Sequence, residues 1–194
     1  MIIALWCAVA YLIGSIPSGY LIGKLFYGVD LRRIGSGNIG ATNAYRILGI
    51  RAALGVFLCD AAKGVLAVWL GEPDVLTSLL CAFFVIVGND WSVFLHFRSG
   101  RGVACGVGAF TYICPAAAFA AFLVWLGVFL SSRIVSLASI AAAPVIPLAM
   151  FFLDKSVEYV IFGAVAAAVV IGKHKDNIGR LLRGEEKKIS HEKR

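Results

Sequence analysis

Long apolar runs separated by short polar breaks organise this chain, at about 2–26, 52–71, 75–95, 101–131, 134–153 and 157–173, with a polar tail after the last. Runs of this length match the ~20 residues that a helix needs to cross the hydrocarbon core of a bilayer, so the pattern predicts a helical membrane bundle. The run at 101–131 is too long for one upright crossing, and Pro115, directly after Cys114, divides it into two short spans, 101–114 and 115–131.

Charge placement decides between six crossings and seven. With the long run divided, the segments 27–51, 96–101, 131–134 and the tail share one side of the membrane. They carry Arg32, Arg33, Arg46, Arg51, Arg98, Arg101 and Arg133, then Lys173, Lys175, Arg180, Arg183, Lys187, Lys188, Lys193 and Arg194. The other side has Lys155 as its single basic residue, beside Glu72, Asp74, Asp154 and Glu158. Six crossings would put the basic tail outside, against the positive-inside tendency. The expectation is therefore an all-α bundle of seven transmembrane helices, N-terminus outside and C-terminus cytoplasmic. It forms one membrane-embedded domain over 1–194, with a short basic tail at about 174–194.

Composition sharpens this picture. Of the 194 residues 60% are hydrophobic and only 15% charged, and the mean hydropathy of +0.89 excludes a soluble domain. The N-terminal run lacks a preceding basic segment and is long enough to span, so it is read as a helix and not as a cleaved signal peptide. The net charge of +7 belongs to the loops and tail, facing anionic headgroups, and no nucleic-acid partner is expected. Cys7, Cys59, Cys81, Cys105 and Cys114 contain no CxxC and lie mostly within apolar runs, which suits small buried side chains. His96, His174 and His191 form no HExxH pattern, so no metal site is expected.

Three polar segments fall on the predicted cytoplasmic side. In GSGNIGATN at 35–43, Gly35, Gly37 and Gly40 permit a tight path, while Ser36, Asn38, Thr42 and Asn43 supply donors for phosphate oxygens, with Arg46 following. In RSGRG, Arg98 and Arg101 flank a Ser-Gly pair, and each guanidinium can hold a phosphate by two parallel hydrogen bonds. Gly102 and Gly106 also fit a close-packing GxxxG, and positive-inside anchoring alone would account for the arginines. His174 and Asn177 are three apart and point the same way on a helix. Asp60 and Lys63, within the second span, have the spacing of an ion pair, and Ser136 and Ser139 share a helix face.

Taken together, GSIPSGYLIGKL, GVDLRRIGSGNIGATNAYRILG, LCDAAKG, VFLHFRSGRGVA, SLASI and HKDNIGRLLRGEE resemble, in order and through nearly the whole chain, the bacterial acyl-phosphate:glycerol-3-phosphate acyltransferases, the PlsY family. The resemblance implies an inner-membrane enzyme, its active site facing the cytoplasm. It would move a fatty acyl group from acyl phosphate to the 1-hydroxyl of sn-glycerol 3-phosphate, giving lysophosphatidic acid and phosphate without cofactor, metal or nucleotide. It implies functional roles for Ser36, Asn38, Thr42, Asn43 and Arg46, for Gly100, Arg101 and Gly102, for Ser139, and for His174 and Asn177. Lys63 and Glu186 match family positions as well, Glu186 for integrity. Ser36, Arg101, His174 and Asn177 are expected at the chemistry; Asn38, Thr42, Asn43, Arg46, Lys63, Arg98, Gly100, Gly102 and Ser139 are expected to bind substrate. The middle motif departs from the family's GHxxPVFxxFKGGKGVAT: Asn89 stands for histidine, Ser92 for proline, Arg98 and Arg101 for lysines, Ser99 for glycine and Cys105 for threonine.

An acyl phosphate is already activated, so positioning two phosphates and stabilising an oxyanion would suffice. The substrates and membrane lipids are the expected partners, with no obligate protein partner. Two other readings compete, a transporter of organic anions such as glycerol phosphate and a catalytically degenerate partner protein. An acyltransferase of the HxxxxD type or a P-loop kinase is disfavoured, since neither HxxxxD nor GxxxxGK[ST] occurs.

Overall fold

A computed structural model describes residues 2–189; the expected tail charges Lys193 and Arg194, and His191, lie outside the described residues. Among the described residues every regular element is helical. The α-helices are α1 (Ile2–Ser15), α2 (Ser18–Tyr27), α3 (Ala41–Leu48), α4 (Ile50–Leu70), α5 (Val75–Asp90), α6 (Val103–Ile113), α7 (Pro115–Ser132), α8 (Val135–Ala142), α9 (Val145–Phe152), α10 (Val157–Lys173) and α11 (Lys175–Leu182).

Prolines set the breaks. Pro115 opens α7, where its missing N–H is not needed, so the long run divides where the sequence predicts. Pro17 separates α1 from α2 and Pro144 separates α8 from α9, because a proline ring and its absent N–H interrupt the helical ladder. At the start of α5, Asp74 accepts from the Thr77 backbone N–H at 2.8 Å and the Thr77 hydroxyl at 2.6 Å, a side-chain cap for otherwise orphaned donors.

Five segments are long and apolar enough to cross a membrane: Ile2–Tyr27, Ile50–Leu70, Val75–Leu95, Pro115–Ser132 and Val135–Phe152. A sixth is added if α10 and α11, bent by 59° to each other, count as one. The expected span at 101–114 is shorter than the sequence suggested. With 11 residues α6 rises only about 16 Å against a core of about 30 Å, because Gly102, at φ 68°, ends the irregular loop and caps the helix.

Helix contacts run through small residues, as they must where lipid offers no hydrophobic drive for association. A methyl group on Gly64 of α4 would collide with the Cys105 carbonyl of α6, and one on Gly108 of α6 with the Ala61 carbonyl of α4. The central core is accordingly rich in alanine, with Ala10, Ala67, Ala82, Ala109 and Ala117 fully buried around Val85 and Met150. A second cluster, Val29, Leu31, Ala44, Ile47, Ala52, Ala53 and Val56, clamps α3 and the loop before it onto α4. Large apolar side chains such as Phe119, Leu130, Phe152 and Ile161 face outward, the surface expected of a chain solvated by lipid. All five cysteines are free; four are buried and Cys59 is exposed.

Candidate functional site

The loop before α3 is held from inside by one side chain. Asn43, buried in the first turn of α3, donates from Nδ2 to the carbonyls of Leu31 (3.1 Å) and Ile34 (3.0 Å), while its Oδ1 accepts from the Ser36 N–H at 3.0 Å. Gly35 passes over it at φ 67°, and a Cβ there would run into the Asn43 amide. Asn38 closes the turn by accepting from the Gly40 N–H at 2.7 Å and reaches across to the second loop, donating to the Ser99 carbonyl at 3.3 Å. Thr42 and Arg46, one turn apart on α3, point the same way and line the same cavity as Asn43.

The second loop is set by its backbone. The Gly100 N–H donates to the Asn89 carbonyl at 2.9 Å, the Phe97 N–H to the Ser92 carbonyl at 2.8 Å, and the Ser92 hydroxyl to the Ser15 carbonyl at 2.5 Å. His96 and Phe97 both take left-handed conformations, turning the chain so that Arg98 is exposed while Arg101 enters the interior. No hydrogen bond or ion pair holds the Arg101 guanidinium among the described residues.

The third contribution comes from the far end of the chain. His174 sits at the bend between α10 and α11, buried, with Nδ1 2.7 Å from the Val170 carbonyl. A carbonyl only accepts, so Nδ1 carries the proton and Nε2 of the neutral ring is an acceptor. Residues after α11 fold back over the site, where Glu186 accepts from Ser136 (2.6 Å), Asn177 (2.5 Å) and Arg180 (2.7 Å). Burial works against the Glu186 charge, but these three hydrogen bonds and the Arg180 charge together hold its carboxyl below the ordinary range. The strap is tied further by Arg46 donating to the Lys187 carbonyl at 3.3 Å and by the Ile189 N–H donating to the Arg133 carbonyl at 2.8 Å.

These segments enclose one cavity of about 990 Å³ with two unlike parts. Its polar head is lined by Ser36, Asn38, Thr42, Asn43, Arg46, Gly100, Arg101, Gly102, Ser139, His174 and Asn177. Its apolar arm runs between helices past Phe57, Phe110, Phe122, Trp125, Ile146 and Ala166. Of the side chains the sequence singled out, Arg98 and Lys63 are not in the lining. Lys63 instead donates to Asp60 at 2.6 Å and to the Ile16 carbonyl at 2.6 Å, at the α1–α2 break, where that carbonyl also accepts from the Ser18 N–H at 3.0 Å. Asp60 of that pair does line the cavity.

Electrostatically the head favours an anion. Arg46 Nε is buried without a hydrogen-bond partner among the described residues, and Arg101 stands beside it unengaged. At the junction of head and arm, Trp125 donates from Nε1 to the Ser139 hydroxyl at 3.2 Å, and that hydroxyl donates to the Val135 carbonyl at 3.0 Å. Sequence reasoning passed over Trp125, because an aromatic residue in an apolar run carries no mark of its contact. It also missed Glu186 as a hub; only the resemblance flagged that residue, since nothing local shows that the tail folds back. Among the described residues no group of three or more His, Cys, Asp or Glu side chains could hold a metal.

Comparison with known proteins places this geometry. Residues 4–184 match the family described as glycerol-3-phosphate acyltransferase. The chain is 50% identical over 183 residues to glycerol-3-phosphate acyltransferase 2 of Moorella thermoacetica, covering 93% of this chain and 94% of that one. It is 45% identical over 190 residues to the glycerol-3-phosphate acyltransferase of Trichlorobacter lovleyi, covering 95% and 96%. The fold matches the crystal structure of PlsY (YgiH), an integral membrane glycerol 3-phosphate acyltransferase, in its glycerol 3-phosphate form. That match has a TM-score of 0.91 and 39% identity over 98% of this chain and 96% of that one. The lysophosphatidic acid form of the same enzyme matches with a TM-score of 0.91 and 38% identity over 97% and 95%. A multi-pass membrane bundle with one head-and-arm cavity, matched in sequence across almost its full length, makes this chain a member of the glycerol-3-phosphate acyltransferase family.

Proposed function

We propose that the protein transfers a fatty acyl group from acyl phosphate to the 1-hydroxyl of sn-glycerol 3-phosphate, releasing lysophosphatidic acid and inorganic phosphate. The carrying observation is the union, in one cavity, of a cationic donor-rich head with an apolar arm, which suits an amphiphile with a phosphorylated end. Relatives named for glycerol 3-phosphate and the two ligand forms of PlsY support the same reading.

The glycerol 1-hydroxyl oxygen attacks the acyl carbonyl carbon, the carbon–oxygen bond to phosphate breaks, and the hydroxyl proton passes to the departing phosphate. Arg46 and Arg101, with Ser36, Asn38 and Thr42, hold the two phosphate groups; His174 and Asn177 orient the attacking glycerol. Asn43 keeps the first loop in shape, and Gly100 and Gly102 let the second loop approach closely. Ser139, its own proton committed to Val135, receives a hydrogen bond from a glycerol hydroxyl. The acyl tail occupies the arm, and its burial is worth about 0.8 kcal/mol per CH₂ relative to water, less for a donor already in lipid.

The same reading takes the chain as one domain crossing the bacterial inner membrane seven times, N-terminus outside, with the cavity mouth at the cytoplasm. The loops at 28–40 and 91–102 meet through Asn38 and Ser99, and Ile189 meets Arg133, so the basic segments share one end of the bundle. The short α6 then completes its crossing because the loop before it dips below the headgroups, which irregular backbone can do where it lines a polar cavity.

Purified protein given palmitoyl phosphate and glycerol 3-phosphate is expected to form lysophosphatidic acid and phosphate in equal amounts. Uptake of glycerol 3-phosphate into proteoliposomes with no product would support transport instead. Inertness in both assays would point to a partner protein.

A further inference from the structure

We propose that Asn89 contacts the substrate: its side-chain amide donates to the acyl carbonyl oxygen and stabilises the negative charge that gathers there during transfer. The inference rests on the acyl-phosphate reading above.

Asn89 is the penultimate residue of α5, only 7% exposed, and lies in the cavity wall. Its backbone carbonyl accepts from the Gly100 N–H, and a Cβ on Gly100 would press on Asn89 Oδ1. The side chain therefore lies against the loop whose next residue is Arg101. Because Oδ1 faces Gly100, Nδ2 is the end left for the cavity. No hydrogen bond holds that amide among the described residues, so the two N–H donors of a primary amide stay open to a ligand in the cavity.

Its position selects the atom it would meet. One turn earlier on α5, Ile86 belongs to the apolar wall with Phe57 and Val107; one step beyond the amide, Gly100 and Arg101 belong to the head. In an acyl phosphate the carbonyl is the group between tail and phosphate. Asp60, also in this wall, offers a carboxylate already engaged by Lys63 and cannot donate. The carbonyl oxygen is neutral in the bound donor and becomes negative when the hydroxyl oxygen bonds to carbon. That charge is returned as the bond to phosphate breaks, so a fixed donor here favours the transition state over the ground state.

The test compares kcat and KM of wild type, Asn89→Ala, Asn89→Leu and Asn89→His with palmitoyl phosphate and glycerol 3-phosphate, each variant first shown to be folded by size exclusion in detergent. Asn89→Ala and Asn89→Leu are expected to lose about 100-fold or more in kcat, with both KM values near wild type. Asn89→His, which restores an N–H donor, is expected to recover part of that loss. A folded Ala or Leu variant with wild-type kcat overturns the proposal, as does a loss carried wholly by KM for palmitoyl phosphate, which would put the amide on the phosphate. Failure of both Ala and Leu variants to fold would make Asn89 a packing residue and equally overturn it. If wild type itself shows no turnover, the acyl-transfer reading has failed and the inference falls with it.

Discussion

The two glycine-rich loops look alike in sequence and are built in opposite ways. The loop before α3 is stapled internally: Asn43 bonds to Leu31, Ile34 and Ser36, the Gly37 N–H shares the Ile34 carbonyl, and Asn38 closes the turn onto Gly40. The loop before α6 is fixed by main-chain bonds from Phe97 and Gly100, which leaves the Arg101 guanidinium without a hydrogen bond among the described residues. One loop puts its asparagine amides largely into its own shape, while the other keeps its charge for a ligand. Breaking the first should therefore cost stability before chemistry, and breaking the second should cost chemistry with little loss of stability.

Removing Arg101 is the largest test. Arg101→Ala should lower kcat/KM for acyl transfer by about 10²–10³-fold while the purified protein melts near wild type; unchanged turnover would remove Arg101 from the phosphate site. Asn43→Ala strands the Leu31 carbonyl and the Ser36 N–H, each worth about 1–3 kcal/mol if it stays dry, while the Ile34 carbonyl keeps the Gly37 N–H. Its thermal midpoint should fall clearly, and activity should fall with it. A melt like wild type would show that the staple is dispensable.

Glu186 ties the C-terminal strap to Ser136, Asn177 and Arg180, so it sharpens the comparison by acting on the head without belonging to either loop. Its folded pKa lies below the ordinary glutamate value. The carboxylate therefore contributes its full stabilisation above the unfolded pKa of about 4.3 and loses it as pH falls through the lower folded value. Melting curves of wild type should fall over that acidic window, and Glu186→Gln should show a flatter dependence there. Arg98→Ala is the smallest change, expected to alter stability by no more than about 0.5 kcal/mol and to leave turnover unchanged. A large loss of activity would return Arg98 to the site.

The sequence made some of this visible and hid the rest for physical reasons. Pro115 marked the division between α6 and α7, because proline acts locally. The breaks at Pro17 and Pro144 were equally local but fell inside runs read as continuous, the first across the short polar stretch GSIPSG and the second where the flanks stay apolar. Arg98 and Arg101 could not be told apart from spacing, since both flank the same Ser-Gly pair; the left-handed turn at His96 and Phe97 separates them. Asn38 meets Ser99 across 61 residues, and Arg46 meets Lys187 across 141. No periodicity reports such meetings; charge placement put those segments on one side of the membrane, and resemblance to a family tied them to one site before the fold did. The pairing of Asp60 with Lys63 was legible from its i, i+3 spacing, whereas the carbonyl of Ile16 that Lys63 also satisfies was not.

The central claim is that segments distant in the chain form one anion-holding head open to the cytoplasm. Single cysteines at Asn38, Arg101 and Asn177, placed in a background in which the native cysteines are replaced, test it through labelling with a membrane-impermeant thiol reagent. All three should react in inside-out vesicles and resist the reagent in right-side-out vesicles. If any one of them reacts only from the opposite side, the head cannot be assembled as described.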